Sequence, residues 1–166
     1  MALVNHYAHT DFWWMKLALY QPDIPQNTGT MIRMAACLGL HVHIIDPCGF
    51  VFSHKSLRRS GMDYIDENLL TRHDDYAAFR SASRTNRLVL LSTKAKTSYI
   101  DFTYQVTDII MVGRESAGVP KSVHGDVDES VTIPMVPGMR SLNVAISAAM
   151  VVGEALRQIQ TQTIEA

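Results

Sequence analysis

The chain is poor in cysteine, modest in charge and without a long apolar run, and each shortage removes a class of protein. Two cysteines, Cys37 and Cys48, are too few for a disulfide-stapled secreted scaffold, and they have no partner thiols at metal-ligand spacing. Both read as reduced thiols in or near the core. No apolar stretch approaches the roughly 20 residues of a membrane helix, and residues 1–15 lack the basic start and apolar centre of a secretory signal. A cytoplasmic protein with no membrane partner is expected. Charged residues make up 19% and the net charge is −1, so no chain-wide basic field announces a nucleic acid; such a partner needs a local patch. His41 and His43 in HVH would share one strand face, but no Cys, Asp or Glu stands at ligand spacing beside them, and no metal is expected.

With 166 residues, 47% of them hydrophobic, and no low-complexity block, one folded domain accounts for the length. Residues 1–14 show no clear period, and Met15 stands directly before the first strand, KLALY. We therefore expect an N-terminal extension at 1–14, one domain over 15–160 and a tail at 161–166. The prolines of QPDIPQ end the first strand, and a helix is predicted from Asn27 to Leu38, stopped by Gly39. HVHIID, RLVLLST, DIIMVG and SVTIPM read as further strands, SHKSLRRSG and DDYAAFRSASR as short helices, and residues 141–158 as a long last helix. Short apolar strands alternating with helices indicate an α/β fold, a mostly parallel sheet covered by helices on both faces. The last helix is apolar around most of its circumference, from Leu142 to Leu156, so a second copy of the chain is expected to cover its outer side.

Three glycine-bearing stretches attract attention. In QNTGTMIR, Asn27 suits a helix cap, Gly29 costs about 0.5–1 kcal/mol relative to alanine, and Arg33 would lean back over the turn that Gly29 leaves open. A helix start with an arginine aimed at it suits an anion such as a phosphate. GRESAGVP follows a buried strand, where α/β proteins place ligands, yet it matches neither dinucleotide nor phosphate-loop spacing. In IPMVPGMRSLNVA, Ser141 or Asn143 would cap the long helix. Lys55, Arg58 and Arg59 share one face of the predicted helix in SHKSLRRSG; alone they read as a solvated surface.

Taken in order, N-x-G-x-x-x-R, G-x-E-x-x-G-x-P and I-P-M…R-S-L-N resemble the three motifs of the SPOUT methyltransferase superfamily, over Lys16 to Gln158. LYQPDIPQNTGTMIR, HIIDPCGF, LRRSGMDY and IPMVPGMRSLN resemble its SpoU/TrmH-like TrmL branch, small enzymes that methylate the ribose 2′-OH of cytidine or uridine at the tRNA wobble position. The resemblance implies a C-terminal trefoil knot, which general topology rules would not suggest, an obligate homodimer built on the first and last helices, and S-adenosylmethionine as methyl donor, leaving as S-adenosylhomocysteine. It implies cofactor binding by Leu91, Gly113, Ile133, Ser141 and Leu142, and a reaction centre of Arg33, Asn27, Glu115 and Asn143. The substrate implied is a tRNA anticodon stem-loop, with leucine tRNAs as acceptors; on this chain the expected contacts to it are Lys55, Arg58, Arg59 and Arg72, with Arg114 in place of the branch's missing arginine. Ser116-Ala117 stands where the branch has Thr-Arg, Ala145-Ile146 where it has Ser-Asn, and Arg114 where it often has proline. The alternatives are the same chemistry on another tRNA position or on rRNA, and an RNA-binding protein that keeps the fold without turnover.

Overall fold

The computed structural model of the protein describes residues 15–52 and 69–164. The predicted extension at 1–14 and the predicted helix carrying Lys55, Arg58 and Arg59 lie outside the described residues. Seven strands, β1 (Lys16–Tyr20), β2 (His41–Ile45), β3 (Leu70–His73), β4 (Leu88–Leu91), β5 (Thr97–Ser98), β6 (Ile109–Val112) and β7 (Glu129–Thr132), form one sheet. Its order is β3-β2-β1-β6-β4-β7-β5, and every strand pairing is parallel. Helices α1 (Pro25–Leu38), α2 (Tyr76–Ala82), α3 (Lys121–His124) and α4 (Val144–Ile164) connect and cover it.

Side chains alternate across a strand, so a strand buried on both faces must be apolar throughout. Leu17, Leu19, Val42, Ile44, Ile110 and Val112 point to the face covered by α1 and α4, where Met31, Ile32, Ala148, Val151 and Val152 meet them. Ala18, Tyr20, Ile45, Leu88, Leu90, Ile109 and Met111 point to the other face, against Phe79 of α2 and Val123 of α3. The expected strands KLALY, HVHII, LVLL and IIMV are all present. LTRH was not expected, because an edge strand with two exposed positions carries no apolar run.

Proline moves the start of α1. Pro25 takes the first helical position, where its missing N–H is no loss, and the preceding Ile24 is extended as residues before proline are. The helix therefore begins two residues before Asn27, which is not its cap. Gly39 closes it in the left-handed region (φ 71°) and donates its N–H to Ala35 O, as expected. Cys37 is exposed, contrary to the core or near-core reading: the run MAACLGL outlasts the buried side of the helix. Cys48 is half-buried, and burial with the neighbouring Asp46 pushes its thiol up to about 12, so it stays protonated. The long helix starts at Val144 rather than Ser141 and runs past Gln158 to Ile164.

The second face holds a buried polar pair. His43 Nδ1 and His73 Nε2 share a 2.9 Å hydrogen bond, both rings packing on Phe79, and His43 Nε2 is buried with no partner among the described residues. Burial, reinforced by the nearby His41, lowers His43 from 6.5 to about 3. Between these values the unfolded chain takes up a proton that the folded chain refuses, so stability is complete above pH 6.5 and lost as the pH falls toward 3. Urea unfolding at stepped pH should show His43→Gln losing about one proton of this slope, at most ~1.4 kcal/mol per pH unit.

Candidate active site

From β1 the chain builds outward to β2 and β3, then crosses to the opposite side of β1 for the rest of the sheet. Open parallel sheets bind ligands outside the carboxyl ends of their strands at such a reversal. The segments after β1, β4, β6 and β7, with the start of α4, surround a cleft of about 620 Å³ there. Leu91, Gly113, Ile133, Ser141 and Leu142, expected at the cofactor, all line it, as do Asn27, Glu115 and Asn143.

Three of the four residues expected at the reaction centre form one hydrogen-bonded run. Glu115 Oε1 accepts from Asn27 Nδ2 at 3.0 Å, and Oε2 accepts from the Asp23 amide at 2.8 Å. Asn27 Oδ1 accepts from Asn143 Nδ2 at 3.0 Å. Asn143 Oδ1 then accepts the Ala145 and Ile146 amides at 2.9 and 3.3 Å, capping α4. Each amide has one consistent orientation, because the carboxylate oxygens at one end accept and the helix amides at the other donate.

Arg33 does not join this run and does not line the cleft. It lies six residues beyond Asn27, about 240° around the helix, and its exposed side chain makes no ion pair among the described residues. Of the expected RNA contacts, Arg72 is paired with Asp46 at 2.6 Å and stands over the Phe52 ring, and Arg114, at the cleft, is paired with Asp23. Sequence reasoning missed Asp23, Lys94, His124 and Arg140, the last three of which line the cleft. Arg140 was the most findable, since it directly precedes Ser141.

The loop after β6 shows why Gly113 is needed. Arg114 and Gly118 exchange backbone hydrogen bonds of 2.8 and 3.2 Å, folding the loop back on itself. A Cβ on Gly113 would stand 2.8 Å from the Gly118 backbone, too close for any side chain. The cleft thus gains a wall of main chain, faced by apolar Leu91, Val112, Ile133 and Leu142 and polar Ser92 and Ser141. That mixture, in a volume within the ordinary range of ligand pockets, suits a small ligand with both apolar and polar groups.

Comparison with known proteins agrees. Residues 15–153 match the SpoU rRNA Methylase family. The chain belongs to that family. A tRNA (cytidine(34)-2′-O)-methyltransferase from Beijerinckia indica is 59% identical over 145 residues, covering 86% of this chain and 91% of that protein. A solved structure concerned with the 2-OH methylation of C/U34 on tRNA superposes with a TM-score of 0.83 at 38% identity, covering 89% and 97%. The SpoU methyltransferase AviRb of Streptomyces viridochromogenes, solved with AdoMet, shares the fold at TM-score 0.77 and 24% identity, covering 90% of this chain and 59% of that one. SpoU methylases take their methyl group from S-adenosylmethionine, and the cleft residues fit that cofactor.

The two roles of Asn143 can be separated. Asn143→Asp keeps a capping acceptor, and the favourable charge it brings to the start of α4 offsets the oxygen it puts against Asn27 Oδ1, so the unfolding midpoint in urea should hold. Methyl transfer should fall roughly tenfold, the equivalent of one hydrogen bond of about 1.4 kcal/mol.

Proposed function

We propose that this SpoU methylase transfers a methyl group from S-adenosylmethionine to the ribose 2′-OH of cytidine or uridine 34 in the tRNA anticodon loop, in the cytoplasm. The observation that carries this reading is the run Glu115–Asn27–Asn143 at the edge of the cleft. The Beijerinckia relative is named for cytidine 34 of tRNA, and the solved structure that superposes at 38% identity concerns C/U34.

When bound, the cofactor supplies an electrophilic methyl on sulfonium. The protein's share is to align a ribose oxygen with that methyl and to stabilise the oxygen as it loses its proton. Leu91, Gly113, Ile133, Ser141 and Leu142 hold the cofactor side of the cleft. Glu115 already accepts from Asp23 and Asn27 on both oxygens, so its role is orientation, not proton removal. Asn27 and Asn143 fix where the ribose enters. Arg33 serves as a cation for the ribose-phosphate and the developing alkoxide, while the proton passes to a phosphate or water. Lys94 and Arg140, at the cleft and without ion pairs among the described residues, add to the RNA side.

Two finer features belong to the same reading. The loops after β4, β6 and β7 that meet in the cleft are those a trefoil knot would tie together, and α4 following them supports it. A homodimer through α1 and α4 is supported by the exposed apolar side chains of Leu38, Ile146 and Met150. Such a dimer also gives exposed Arg33 a second surface to work against, since the cleft of its own chain does not include it.

The family description names rRNA, so the substrate is tested directly. Incubation with labelled S-adenosylmethionine and either total tRNA or rRNA, followed by nucleoside mass spectrometry, should give 2′-O-methylcytidine or 2′-O-methyluridine from tRNA only. Cofactor binding with no methylated nucleoside in either pool would reduce the protein to an RNA binder. Arg33→Ala should abolish turnover, by roughly a thousandfold or more, and leave cofactor affinity by calorimetry nearly unchanged; full activity would remove Arg33 from the mechanism.

A further inference from the structure

Asp23 lies in the loop between β1 and α1, with its side chain only 17% exposed. Its carboxylate gathers four donors. Oδ1 accepts from Arg114 Nε at 3.1 Å and from Arg114 Nη2. Oδ2 accepts from the Ser116 amide at 3.1 Å and from Ser116 Oγ. The residue between these two, Glu115, accepts from Asp23's own amide. Three successive residues of the β6 loop are thus tied to one residue of the β1 loop, outer two by its side chain and middle one by its backbone. The β2 loop closes on the same point: Gly49 donates to Pro22 O at 2.9 Å, and a Cβ on Gly49 would reach within 2.8 Å of Asp23 Oδ1. Gln21, two residues before Asp23, holds a left-handed backbone (φ 44°), a conformation strained for a residue with a side chain.

We propose that Asp23 is a positioning residue for methyl transfer: with Arg114 and Ser116 as its partners, it presents Glu115 to Asn27 and shapes the main-chain wall of the cleft. Arg114 is then the counterpart of Asp23 and not a contact to RNA. Arginine suits this work, since two nitrogens of one planar group reach the same carboxylate while its charge offsets that of the acid. The Arg114 hydrogen bond, helped by Ser116, outweighs partial burial and holds the Asp23 carboxyl at about 2, so the clamp stays ionised wherever the protein is folded and working. The inference rests on the methyl-transfer reading for its activity arm only.

The test uses the full chain with Asp23→Ala, Asp23→Asn, Arg114→Ala, Arg114→Lys and the double variant Asp23→Ala/Arg114→Ala. In methyl transfer, Asp23→Ala and Arg114→Ala should each lower kcat roughly tenfold or more, with KM for tRNA changed less than about threefold. The double variant should be no worse than either single one, because the pair acts as a unit. Arg114→Lys, which keeps the charge and one donor, should recover much of the loss. Amide hydrogen exchange should be faster over 113–118 in Asp23→Ala and Asp23→Asn, with the strands of the sheet unchanged. A raised KM for tRNA in Arg114→Ala with normal kcat would overturn the proposal, as would additive losses or unaltered exchange over 113–118. If the unsubstituted protein transfers no methyl group, the functional reading fails, and exchange over 113–118 still decides for or against the clamp.

Discussion

The site depends on a carboxylate that has no free choice of partner. Glu115 can only accept from Asn27 and from the Asp23 amide, which turns the Asn27 oxygen toward Asn143, which in turn leaves the Asn143 oxygen for the first amides of α4. Reversing any one amide would set two oxygens or two N–H groups against each other. The run joins positions 88 and 116 residues apart, so no local piece of the chain contains the site. It exists because the strands are parallel and deliver their following loops to one edge, where β1 and β6 are neighbours. Main-chain contact completes the enclosure: the Gly113–Gly118 approach makes a wall that any side chain at Gly113 would force open.

The sheet was legible because its central strands are buried on both faces, and a short strand in that position has little option but to be continuously apolar. KLALY and IIMV announce themselves in this way; LTRH at the edge and the two-residue Thr97–Ser98 do not, being required to bury little. The start of α1 was misread because an asparagine capping preference was weighed above proline geometry, although Pro25 fixes the backbone and Asn27 merely tolerates a cap. Cys37 was misplaced for a related reason: apolar composition extends around a helix further than one buried face needs. In the site, the motif residues were legible as residues, but their bonds were not. Asn27 and Asn143 each read alone as caps, and only Asn143 is one. Asp23 was invisible because its meaning is wholly tertiary. Nothing in QPDIP says that an arginine 91 residues later will meet that acid.

Charge in this protein is divided by neighbourhood more than by amount. A net charge of −1 is a poor start for binding a polyanion. Yet Arg72 and Arg114 stand against Asp46 and Asp23, and Arg80 against Asp126 and Asp128, so these cations are committed to holding loops and strand ends. Their partners cancel much of their field beyond a Debye length of about 8 Å at physiological salt. Arg33, Lys94 and Arg140 have no such acid beside them among the described residues. On the proposed function, the potential felt by an approaching phosphate is therefore set by the cations without an ion pair among the described residues and not by the net count, since a neutralised pair has little field left to offer. The same reasoning separates Arg33, expected at the reaction centre, from Arg114, expected at the RNA. Arg114 stands at the cleft but is spent on Asp23, whereas Arg33 lies on the exposed side of α1 with no acid paired to it among the described residues. On the proposed function, the arginine that serves RNA is the one with no carboxylate beside it among the described residues, even though it lies outside the cleft.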